Sequence, residues 1–101
     1  MMLEQALFIT AELRVKADKN LHTAINAIHT FCAAMKNEPG CSMATVFQDK
    51  SDPYRFILWE QYDNEAAFQQ HFNAKHTQAF IEMGLTDLVQ VFELNKLLKE
   101  V

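Results

Sequence analysis

The sequence predicts an α+β domain in which helices cover one face of a four-stranded antiparallel sheet. Three observations predict it. Apolar residues alternate with a period of two in four separate segments. A helical period of about 3.6 residues fills the intervals between the first and second segments and between the third and fourth. The second and third segments are joined by a polar turn short enough for a hairpin. With 101 residues, 50% of them hydrophobic and eight of them Phe, the chain suits one domain, residues 1–101, with a real core.

Residues 6–15 place Leu7, Ile9, Ala11, Leu13 and Val15 on one side of a strand and Phe8, Thr10, Glu12 and Arg14 on the other. Asp18 is the expected N-cap of a long helix whose apolar stripe runs through Leu21, Ala24, Ile25, Ile28, Phe31, Cys32 and Met35. Asn37-Glu38-Pro39-Gly40 ends that helix, because Pro disfavours helical backbone at Glu38 and Gly40 permits a left-handed turn. A strand over 42–48, a polar turn over 49–53 and a strand over 54–62 form an antiparallel hairpin. Asn64 then caps a helix carrying Ala67, Phe68, His71 and Phe72, a shorter helical stretch over 76–83 presents Phe80 and Ile81, and Gly84 closes it. A last strand over 88–98 completes a β-α-β-β-α-β order, with the second helix split. This is the ferredoxin-like arrangement.

The third strand carries Phe56, Leu58 and Tyr62 on one face and Ile57 and Trp59 on the other. Helices on a single side would leave the second set wet, and the chain has no further residues with which to cover it. A homodimer packed sheet against sheet is therefore expected, with Trp59, Phe92 and Leu94 at its surface. A net charge of −4 with no Lys/Arg cluster argues against nucleic acid as a partner. The stretch MMLEQALF bears an acid where a signal peptide needs bases, so no membrane association and a cytoplasmic location are expected. Cys32 and Cys41 lack metal-ligand spacing and read as free thiols.

Chemistry concentrates in residues 55–80, where Glu60, Tyr62, His71 and His76 surround one strand-to-helix corner. Glu60 and Tyr62 are two apart and share a strand face. A carboxylate within an apolar strand must be hydrogen-bonded, paired or protonated, and each arrangement tunes its pKa. His71 is the candidate general base, since an ordinary imidazole titrates near pH 6.5. Glu60 is expected to orient His71 or to act as the base itself, and Tyr62 to donate to a substrate oxygen. His71 and His76 are five apart, which on an ideal helix turns them about 140° from each other. A break near Asn73-Ala74 would relax that, but with no third ligand in sight no metal is expected. His76, Phe47, Phe68, Phe72 and Phe80 are candidates to bind an aromatic small-molecule substrate. His22 and His29 flank a packing stripe and read as boundary or surface histidines. Lys75 and Arg55 are the nearest cations for a phosphorylated substrate, and no Gly-rich nest accompanies them.

Set side by side, AELRV (11–15), EPGC (38–41), FQDKSDPYRFILWEQY (47–62) and the helical Ala67, His71, His76 and Phe80 make the chain resemble the antibiotic biosynthesis monooxygenase family of small dimeric α+β barrels. The resemblance implies a pocket between helices and sheet in each protomer, with no metal or flavin needed in many members. It implies oxidation of phenols or quinols with O2. The chain is similar also to a branch that isomerises a phosphorylated dicarbonyl related to autoinducer-2. A haem-degrading branch needs an Asn on the first strand, which residues 6–15 lack, and Phe80 stands about where its ligand histidine is expected. A non-catalytic ligand-binding module is the third expectation.

Overall fold

The computed structural model describes residues 6–97. The order is β1 (Leu7–Val15), α1 (Leu21–Met35), β2 (Cys41–Gln48), β3 (Arg55–Tyr62), α2 (Glu65–Asn73), α3 (Lys75–Glu82) and β4 (Thr86–Leu94). All neighbouring strands pair antiparallel in the order β2-β3-β1-β4, so each helical crossover passes over one intervening strand. This is the ferredoxin-like sheet the alternation predicts.

On the inward face of β1, Ala11, Leu13 and Val15 cluster with Ala24, Ile28 and Met35 of α1 and with Phe56 and Leu58 of β3, while Ile9 packs in a second cluster with Tyr62, Ala67 and Phe68. Each large aliphatic or aromatic group buried in this way contributes about 1.5–3 kcal/mol. The other face is uncovered. Trp59 and Phe92 both stand opposite Thr10 in the register, and each is about half exposed (51% and 52%). Leu94 is exposed as well.

Three local expectations need correcting. Asn20, not Asp18, caps α1: its Oδ1 accepts the Thr23 N–H at 2.9 Å, while Asp18 lies exposed in the preceding turn. Gly40 does not adopt a left-handed backbone; among the described residues only Gly84 has positive φ, at 61°. Gly40 is required by a close approach instead, because a Cβ there would lie 2.3 Å from the Ala67 Cβ. β4 starts at Thr86 and ends at Leu94, and its register shifts between Glu12 and Leu13 so that Val89 is the extra, bulged residue. Of the predicted extension, residues 95–97 are not strand, and residue 98 lies outside the described residues.

Cys32 and Cys41 are both free thiols. No helix among the described residues is long and apolar enough to cross a membrane.

Candidate functional site

Strand alternation turns Phe56, Leu58, Glu60 and Tyr62 toward the helices, so the one acid of β3 is packed among apolar groups and only 4% exposed. Tyr62 answers it: its hydroxyl donates to Glu60 Oε1 at 2.7 Å. Burial raises the Glu60 pKa, an effect opposed by the Tyr62 hydrogen bond and the nearby His71 and reinforced by Glu38. Burial, together with the Glu60 charge, also raises the Tyr62 pKa, so the phenol remains a donor. Desolvation pushes the Cys41 thiol up to about 11, which leaves it protonated and a poor nucleophile.

Asn64 starts α2 by accepting the Ala67 N–H on its Oδ1 at 2.9 Å, and one turn later α2 delivers His71, which is 5% exposed. The expected Glu60–His71 pairing is replaced by a different one. His71 Nδ1 lies 2.8 Å from Glu38 Oε2, and the same oxygen is 2.5 Å from His76 Nε2. A carboxylate oxygen accepts, so Nδ1 is the donor in the tautomer that satisfies this bond and Nε2 is then the acceptor nitrogen, with no hydrogen-bond partner among the described residues. The two imidazoles meet because the helix breaks at Ala74, whose ψ of 144° separates α2 from α3. The 140° divergence applies to an unbroken helix and is removed by this kink.

A cavity of about 340 Å³ lies between the sheet and the helices. Its wall is apolar except for Glu60, His71 and two threonines, and Phe68, Phe72 and Phe80 contribute rings to it. Phe80 stacks on Phe31 at 4.4 Å between centroids. Phe47 does not reach this cavity: it pairs with Ile57 on the uncovered face, is 55% exposed, and packs edge-on against Trp59. Nor does His76 border it; with Glu38 and Gly40 it lines a separate outer cleft of about 380 Å³. Arg55 is engaged by Glu12 and Asp49 at the other end of β3, Lys75 is exposed at the start of α3, and neither borders the cavity. His22 and His29 are exposed on α1.

Sequence reasoning missed Glu38, which reads as turn punctuation 33 residues from His71. A usable signal was present in the hairpin. Cys41 stands opposite Tyr62, so the turn before β2 must lie beside the helix that follows β3.

Comparison with known proteins agrees with this architecture. YjcS of Bacillus subtilis is 27% identical over 88 residues, 87% of this chain and 84% of YjcS. A solved structure of a YjcS protein superposes with a TM-score of 0.80, covering 89% of this chain and 97% of that one. The crystal structure of PA3566 from Pseudomonas aeruginosa, 22% identical, shares the fold at a TM-score of 0.86 over 97% of this chain and 100% of its own. The uncharacterised Synechocystis protein sll1783 is 27% identical over 79 residues, 78% of this chain and 53% of its own, so the chain spans about half the length of that relative. A sequence model of one family matches residues 6–83, from the first strand through the helices that carry both histidines. The chain therefore belongs to the antibiotic biosynthesis monooxygenase family.

Proposed function

We propose that the protein is a cofactor-independent monooxygenase that oxidises a small phenolic or quinol-type compound with O2. One observation carries the reading: an apolar hollow of about 340 Å³, within the usual size of ligand sites, borders a single buried imidazole whose far nitrogen is held by a carboxylate. His71 Nε2 takes the phenolic proton, and Glu38 stabilises the imidazolium that forms. The phenolate then gives an electron to O2. The resulting radicals combine at a ring carbon bearing hydrogen, and the hydroperoxide loses water to leave a quinone. One oxygen atom enters the product and the other leaves as water, and the substrate itself supplies all four electrons.

Glu60, whose carboxyl pKa is raised by burial and which Tyr62 braces, hydrogen-bonds the substrate's second oxygen. Phe68, Phe72 and Phe80 pack the aromatic ring and limit water around the reactive intermediate. A phosphorylated dicarbonyl needs a cation, and the cavity wall contains no Lys or Arg among the described residues, which favours oxidation over isomerisation. The active species in this reading is a cytoplasmic homodimer whose exposed Trp59, Phe92 and Leu94 face their counterparts.

An oxygen electrode tests the assignment with a panel of naphthols, anthrones and hydroquinones. Wild-type protein is expected to consume one O2 per quinone formed from a phenol, and His71→Ala to lose about 10²–10⁴-fold in rate. Equal rates in both proteins overturn the site. Conversion of a phosphorylated dicarbonyl without O2 uptake overturns the oxidative reading, and tight ligand binding without turnover on any substrate reduces the protein to a binding module.

A further inference from the structure

We propose that Glu38, His71 and His76 form a binding site for a divalent transition-metal ion of the zinc class. Two imidazoles and one carboxylate are a donor set that such ions take, with positions left for water. One ligand atom from each residue lies within 4.8 Å of the other two. Bonds of about 2.0–2.2 Å place the ligands of one ion roughly 3–4 Å apart, a separation close to the spread of these atoms.

The three residues come from three elements, which is what fixes their convergence. Glu38 follows α1, His71 lies on α2, and His76 lies on α3 beyond the break at Ala74. The Gly40–Ala67 contact and the Asn64 cap hold the turn and α2 in place. A second observation points independently to a ligand. The Glu38 side chain is only 9% exposed, yet its Oε1 is buried without a hydrogen-bond partner among the described residues, while Oε2 is crowded by both imidazoles. A cation between the carboxylate and the rings satisfies both oxygens and lets the imidazoles offer lone pairs in place of protons.

Access is available from outside. The cleft of about 380 Å³ is lined by Glu38 and His76, and Asn37 and Gln70 supply its polar rim with no Lys or Arg among the described lining residues to repel a cation. His71 stands between this cleft and the apolar cavity. Its Nδ1 cannot bind metal and donate to Glu38 at once. Coordination moves the ring proton to Nε2, so the nitrogen facing the cavity turns from acceptor to donor. Metal occupancy and the base role of His71 therefore exclude each other, and the ion acts as an inhibitor of the proposed oxidation.

The binding claim is tested without any substrate. Full-length protein stripped with a chelator is titrated with ZnCl2 by calorimetry and with CoCl2 by visible absorption. One ion per chain with a dissociation constant below about 10 µM is expected. His76→Ala and Glu38→Gln should each weaken binding by about 100-fold and abolish the cobalt bands, whereas His29→Ala should change neither. His76 is partly exposed, so its variant serves even if Glu38→Gln fails to fold. Binding weaker than this limit, or equal binding by His76→Ala and wild type, overturns the proposal. Failure of the oxygen assay leaves these readouts unaffected.

Discussion

Substituting Gly40 by alanine drives a methyl carbon to 2.3 Å from the Ala67 Cβ, where carbon atoms normally rest about 3.5–4.0 Å apart. The turn and α2 must then separate by more than about 1 Å, and neither is free to move. The turn continues directly into β2, and α2 is anchored by the Asn64 cap and by Phe68 against Tyr62. Overpacking of this kind costs about 1–3 kcal/mol, a fall in melting temperature of at least about 4 °C in a domain of this size. The same joint sets the Glu38–His71 distance, so activity should fall further than stability; a 1 Å misplacement of a catalytic group can cost about 100-fold. Ala67→Gly alone costs about 1 kcal/mol through helix propensity. In the double variant, however, the new methyl carbon meets only the position 67 Cα at 3.4 Å, an ordinary contact. Thermal melts of the four proteins form a double-mutant cycle. The double variant should be no less stable than Gly40→Ala alone. Strictly additive losses would refute steric contact as the reason for glycine at position 40.

Two further outcomes follow from the buried acid and the uncovered face. Burial holds the Glu60 carboxyl above its ordinary value of 4.5, so the folded state binds this proton more tightly than the unfolded chain. The stability it provides is complete below that ordinary value and is lost as pH rises through the raised folded pKa. Tyr62, His71 and Glu38 face the same group, and Glu60→Gln leaves all three in place. Melting temperatures across pH should therefore shift in favour of Glu60→Gln as pH rises above 4.5, and parallel profiles would contradict the burial argument. On the outer face, Trp59→Asp should halve the mass found by light scattering from twice 11.7 kDa to a single chain. A wild-type protein already monomeric at micromolar concentration would remove the reason for the sheet-to-sheet interface.

The fold was legible because each element carries its own period, and the second face of β3 was visible in Ile57 and Trp59 before any coordinates. Glu60 and Tyr62 were legible as a pair for the same reason, since strand geometry alone commits residues two apart to one side. The place of Phe47, a candidate for binding an aromatic substrate, is not legible in the sequence because an aromatic residue on a strand does not announce its face; the pairing with Ile57 shows that it belongs with Trp59. Glu38 was hidden by distance along the chain and by the Pro-Gly that follows it, which attracts a backbone explanation. The convergence of His71 and His76 depends on a single non-helical ψ at Ala74, which the helical preference of alanine does not announce.

Among the described residues β4 has a sheet neighbour on one side only, and every one of its residues after Thr86 is exposed, yet its Leu88 and Val91 form one wall of the cavity. An edge strand so placed is among the first parts of a domain to fray. A guest lodged against Leu88 and Val91 would splint that strand to the remainder of the sheet, and loosening of the strand would in turn release the guest. Hold on the guest and cohesion of the sheet margin thus become a single equilibrium.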